Sequence, residues 1–180
     1  MDRIPRDALS SLDLLHQSLD GAFAARADGL LAFGFALLDC NGREFGRLRL
    51  AAAAPSAELR LGDHAVELEV SGRRLRMVAD GEEVLIGTPK AHSIDELVLS
   101  SGDRAYDARF SFFRNRATAS RPGGEESARL SGGTTGRSYG AIFDAGDACA
   151  LPVAVFILWH LTTNRRRAYL AGTPSKGGKM

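Results

Sequence analysis

The spacing of hydrophobic and polar residues changes twice along the chain. Between Pro5 and Asp20 the apolar positions Ala8, Leu12, Leu15 and Leu19 recur near helical spacing and Asp20-Gly21 reads as a stop, which predicts a short amphipathic helix. From Leu30 the period becomes that of strands. Val66, Leu68 and Val70 share one face while Glu67 and Glu69 take the other; Leu48 and Leu50 alternate with Arg47 and Arg49, and Leu75 and Met77 with Arg74 and Arg76. Turn dipeptides that tolerate positive φ punctuate these runs at Asn41-Gly42, Gly62-Asp63, Ser71-Gly72, Asp80-Gly81 and Ser101-Gly102. A meander of adjacent antiparallel strands follows, each with one buried and one wet face. In Tyr106 to Ala117, Phe110 and Phe112 share a face and Phe113 breaks the period, which reads as a bulge bending a continuous strand. Pro122 to Glu126 and Ser131 to Gly136 read as loops, and Ser138 to Asp144 as a strand.

The run Ala148 to Leu161 is uncharged, with Pro152 suited to a first helical turn and Arg165 to Arg167 at the far end. Val153 to Trp159 leave this helix no polar side, so it is buried all round or sits in lipid. A bilayer core needs roughly 20 apolar residues, and the shorter run favours burial. A β domain encloses a helix on every side only by curling its sheet around it. The expected fold is mainly β, an antiparallel meander closed into a barrel around a buried apolar C-terminal helix. The corresponding organisation is an N-terminal helix or arm over residues 1–29, a barrel domain over 30–167 with its central helix at 151–166, and a flexible tail over 168–180.

Charge narrows the partners. The formal net charge is +1, so no global field draws in nucleic acid, and no nucleic-acid partner is expected. Lysine is confined to Lys90, Lys176 and Lys179 and the remaining cations are arginines, whose fixed fork of donors suits phosphate or carboxylate; an Arg- and Ala-rich proteome accounts for the same bias. Cys40 and Cys149 lie far apart, with no CxxC and no His or Cys pair at metal-ligand spacing, so no metal or cofactor is expected; a single Cys40–Cys149 bridge is the alternative to two reduced thiols, which are the simpler case in a cytosolic protein. Met1-Asp2-Arg3 opens no apolar signal region, and the expected location is the cytoplasm.

Enzymatic motifs are weak. Gly136-Arg137-Ser138-Tyr139-Gly140 spells a nucleophile elbow, and Asp144 or Asp147 and His160 follow in hydrolase order. That elbow needs a strand before the serine and a helix after it, whereas here a Gly-rich loop precedes and a strand follows. A serine hydrolase using Ser138 is therefore the distant alternative, and no catalytic residue is assigned. Gly132 to Ser138 lacks the glycine spacing and following helix of a phosphate loop and reads as a surface turn. Asp144 and Asp147 lack EF-hand spacing and suit helix N-capping. His16, His64 and His92 read as isolated and exposed, and His160 as a satisfied core or pore-mouth histidine. The remaining candidate is a basic outer face of Arg47, Arg49, Arg74, Arg76, Arg114 and Arg116, diluted by Glu67 and Glu69, which would engage anionic headgroups if neighbouring strands align it.

The run Phe35-Ala36-Leu37-Leu38-Asp39-Cys40-Asn41-Gly42-Arg43-Glu44, the repeated Gly-centred hairpins and Tyr139 to Asp144 leading into the helix resemble the tubby C-terminal-like fold of tubby domains, LURP-one-related proteins and phospholipid scramblases. The resemblance covers about Leu30 to Arg167 and implies a non-enzymatic role in binding phospholipid or membrane. The chain lacks the Pro-rich N-terminus and clustered cysteines of scramblases and has no match to the tubby phosphoinositide-binding positions, so no residue is carried over. The expected function is a binding domain for anionic phospholipid or another anionic ligand, peripheral to a membrane. A protein-interaction or structural module, with a protein partner, is the alternative.

Overall fold

The computed structural model describes residues 6–29, 33–62, 64–91 and 93–172. Helix α1 (Arg6–Ser18) precedes strands β1 (Ala22–Asp28), β2 (Gly34–Leu38), β3 (Glu44–Leu50), β4 (Ala57–Leu61), β5 (His64–Ser71) and β6 (Arg74–Ala79). Strands β7 (Glu82–Pro89), β8 (Glu96–Ser101), β9 (Arg104–Ser111), β10 (Arg116–Ser120), β11 (Glu126–Gly132) and β12 (Ser138–Phe143) follow, and then helix α2 (Ala150–Gly172). Each strand pairs antiparallel with its sequence neighbours, and β1 pairs with β12 in a register that sets Ala24 opposite Gly140, so the sheet closes into a barrel. Closure leaves no row of unpaired backbone groups at an edge.

Alternation decides what faces inward. In β4, Ala57, Leu59 and Leu61 are buried while Glu58 and Arg60 are exposed, and β6 repeats the pattern with Leu75, Met77 and Ala79. Every residue from Ala150 to Leu161 is buried inside the barrel, as the all-round apolarity of that run requires. The helix sits off the barrel axis, packing most closely on β10, β11 and β12. Four inward residues there are small, Ala117, Ala119, Ala128 and Ala141, which lets the helix approach between the larger Leu130, Tyr139 and Phe143; across the barrel the inward residues include Leu68, Met77, Leu85, Leu97 and Leu99. On the far wall the Phe156 ring reaches across to β7, where a Cβ on Gly87 would lie 2.8 Å from its Cζ.

Several expectations need correction. The barrel begins at Ala22 and not Leu30, because β1 lies inside the segment assigned to an arm and closes the sheet. Helix α1 and the turn after it belong to the same core, through the buried Leu12 and Leu19. The central helix runs on to Gly172, beyond the expected end at 166; residues 173–180 of the expected tail lie outside the described residues. Strand β11 extends to Gly132, into a stretch read as loop. Phe113 marks no bulge: Phe112 to Asn115 is the turn between β9 and β10, and the ladder irregularities fall at Leu37/Leu38, Met77/Val78 and Ala119/Ser120. A broken period fits a bulge or a reversal equally well, and the deciding signal was Asn115, which takes φ +54° there. His16 is buried, its Nε2 2.9 Å from the carbonyl oxygen of Ala145, and His64 is half-buried; His92 lies outside the described residues. Among the described residues no helix is long and apolar enough to cross a membrane.

Candidate functional site

A closed meander sends alternate loops to opposite ends of the barrel, and the two ends differ in charge. Where α2 enters, the loops carry Asp39, Asp80, Asp103, Glu125, Asp144 and Asp147 against Arg43 and Arg121. At the other end they carry Arg73, Lys90, Arg114 and Arg137 against Asp95, and the helix delivers Arg165, Arg166 and Arg167 to the same place. The near-neutral total thus conceals an acidic rim and a basic rim.

The acidic rim centres on Asp147, whose side chain has no exposed surface. It accepts hydrogen bonds from the hydroxyls of Tyr106 and Ser127, both at 2.9 Å, from the Cys149 N–H at 3.1 Å and from Arg104 Nη1 at 2.5 Å. Arg121 bridges Asp144 at 2.6 Å and Asp147 at 3.3 Å. Burial pushes the Asp147 carboxyl upward, but the bonds from Ser127, Cys149, Tyr106 and Arg121 outweigh it and hold the group below the ordinary range. Burial, with the Asp147 contact, drives the Tyr106 phenol upward. This cluster joins β9, β11 and the start of α2, and both carboxylate oxygens are occupied in doing so. Among the described residues no group of three His, Cys, Asp or Glu is placed to hold a metal.

At the basic rim the second half of α2 fastens the loops one by one. His160 Nε2 lies 2.9 Å from the Ile94 carbonyl, so its N–H donates there, and burial holds this imidazole below its ordinary pKa. Arg165 reaches the carbonyls of Phe112 and Thr134, and Arg166 those of Ala51 and Ala52, with its guanidinium 3.8 Å from the Phe33 ring centroid. Asn115 donates to the Gly133 carbonyl at 2.7 Å and so ties the β9–β10 turn to the β11–β12 turn. Phe112 turns in toward Phe110 and His160, which leaves Phe113 projecting from the tip with 99% of its surface exposed. Arg114, Arg116 and Arg165 surround a shallow basin beside it.

The six arginines read from the sequence do not form one face. Arg47 and Arg49 on β3 are separated from Arg74 and Arg76 on β6 by two strands, and Arg114 and Arg116 lie across the barrel on the β9–β10 hairpin. Arg114 belongs to the turn and not to a strand. Arg47 is neutralised by Asp28 and Glu44, and Arg76 by Glu69 and Glu83. Arg49, Arg74, Arg114 and Arg116 are exposed. Periodicity missed Phe113, Arg73, Arg165 and Arg167, which reach the rim only through turns and the helix end. Ser138 opens β12 on the exposed side, while Asp147 is bound by Arg104, Tyr106 and Ser127 and His160 by Ile94, so no hydrogen-bonded triad links the three. Cys40 and Cys149 are free thiols.

No family model matches the chain, and no curated protein matches it. Among solved structures, the X-ray structure of a protein from Arabidopsis thaliana, AT5G01750, matches with a TM-score of 0.55 and 12% sequence identity, over 79% of this chain and 93% of that one. At that identity the likeness is one of fold, and it places the closed barrel with its C-terminal helix among architectures already known from a plant protein.

Proposed function

We propose that this chain is a non-catalytic module of the tubby C-terminal-like type that attaches to an anionic membrane surface through its basic rim. The observation that carries the reading is Phe113, 99% exposed at a turn tip and flanked by Arg114, Arg116 and Arg165. A large apolar ring held out in water costs free energy that burial in a bilayer interface returns, about 1.5–3 kcal/mol for a fully buried phenylalanine. Each basic residue near an anionic bilayer adds about 1 kcal/mol. One wedge and three arginines together approach about 5 kcal/mol, and combining apolar and basic signals is what stable peripheral attachment requires. The fold likeness to the plant protein and the sequence resemblance to LURP-one-related proteins and scramblases support the same class.

The test is co-sedimentation of the full chain with phosphatidylcholine vesicles, with and without phosphatidylserine, at low and high salt. Binding is expected only with phosphatidylserine, weakening as salt rises. Phe113→Ser and the pair Arg114→Glu with Arg116→Glu, all at exposed positions, each lower affinity roughly tenfold or more. Equal binding to both vesicle types, or unchanged binding by the three-site variant, refutes the proposal.

A further inference from the structure

Because α2 lies against β10 to β12, the gap on its other side is wide. Leucines and methionine fill it in the middle of the barrel, but at the basic rim it stays open as a pocket of about 560 Å³. That volume falls within the range of small-molecule sites, roughly 300–1,000 Å³. One wall is apolar, from Pro55, Val70, Leu75, Pro89 and Ile94. The other wall is the helix, and there Trp159, Thr163 and Arg167 follow one another at intervals of four residues, so they climb one face from the core to the mouth. Trp159 is only 1% exposed, and among the described residues its indole N–H has no acceptor and the buried Thr163 hydroxyl has no partner. Unmatched buried donors of this kind are costly and rare, and these two, on residues that line the pocket, gain an acceptor if a ligand oxygen wedges in beside the helix. Arg73 faces the mouth with Arg167, both exposed, and among the described residues no carboxylate lines the pocket.

We infer that this pocket binds a small anionic amphiphile, its acid group between Arg73 and Arg167, an acceptor oxygen about one helical turn inward for Thr163, and its apolar chain against Val70, Leu75 and Ile94 beside Trp159. An acylated amino acid has all three parts: a hydrocarbon chain, an amide carbonyl and a terminal carboxylate. The site uses different residues from the Phe113 hairpin and does not rest on vesicle attachment.

Trp159 is the single tryptophan of the chain, so its fluorescence reports on the pocket directly. The full chain is titrated with N-dodecanoylglycine, dodecanoate and dodecyltrimethylammonium, each below its micelle concentration. N-dodecanoylglycine is expected to give a saturable change in Trp159 emission, dodecanoate a weaker one because it lacks the inner carbonyl, and the cation none. Arg73→Glu with Arg167→Glu, both at exposed positions, reduces affinity for N-dodecanoylglycine at least roughly tenfold. Thr163→Val removes its advantage over dodecanoate. Phe113→Ser retains full binding even where it abolishes vesicle attachment, which separates this site from the membrane reading. No saturable response, an equal response to anion and cation, or indifference to the charge reversal overturns the inference.

Discussion

Replacing Asp147 by asparagine changes almost no volume and removes one charge from a site with no solvent contact. One carboxylate oxygen faces Arg104 and the Cys149 N–H, the other faces the Ser127 hydroxyl with Arg121 beyond it, and the Tyr106 hydroxyl lies between the two, at 3.1 and 2.9 Å. An amide supplies an acceptor to only one of these sets, and its NH₂ must face donors on the other side. The hydroxyls can rotate to accept, but the Cys149 N–H and the arginines cannot. Removing one partner of a fully buried ion pair costs about 3–5 kcal/mol. Arg104 is 47% exposed and recovers water when released, so the lower end applies, about 3 kcal/mol. In a chain of this size that corresponds to a drop in Tm of roughly 6–12 °C. The assay is urea denaturation at neutral pH followed by Trp159 emission, with thermal unfolding alongside. A loss below about 1 kcal/mol would mean that the cluster is surface decoration and not the lock on the entry of α2. The pH dependence has a definite sign. The folded pKa of Asp147 lies below the unfolded value, so its contribution is complete above about pH 4 and is lost as pH falls through the folded value. In Asp147→Asn that part of the acid limb disappears.

His160 acts on the same side of neutrality. Its folded pKa is depressed by burial, so the unfolded chain takes up the proton first and stability declines as pH drops below about 6.5; His160→Gln flattens that decline in denaturation midpoints measured between about pH 7 and 5. At Gly87, alanine would set its Cβ 2.8 and 2.9 Å from two atoms of the buried Phe156 ring, and the overpacking costs about 1–3 kcal/mol in urea unfolding. Adding Phe156→Leu to that variant restores part of the loss relative to Phe156→Leu alone, and full additivity of the two changes would show that the ring is not what Gly87 accommodates.

Side-chain period and type along a short window are local properties, and they were enough for the strands around Leu48, Val66 and Leu75, for the turns at Asp80-Gly81 and Ser101-Gly102, and for the buried helix. An uncharged helix with no polar face, too short for a bilayer, requires a sheet curled around it, and that requirement carried the barrel. Asp147 was legible as a cap for α2, because capping is a relation between close neighbours in sequence. Its partners Arg104, Tyr106 and Ser127 were not, since only ring closure brings β9 and β11 to the start of α2.

The basic rim depended on a different kind of information. In a meander, which loops share an end follows from the parity of the strands, and one missed reversal inverts every loop after it. Reading Phe112 to Asn115 as a bulge removed one turn, and placing the start of the barrel at Leu30 removed β1. The segregation of acidic and basic loops to opposite ends was therefore hidden behind a net charge of +1. The pocket beside Trp159 arises from the off-axis seat of α2, which Ala117, Ala119, Ala128 and Ala141 on β10 to β12 permit. Periodicity assigns each of these residues an inward direction. How far their wall stands from the one opposite is decided by packing across the barrel, which no local window contains.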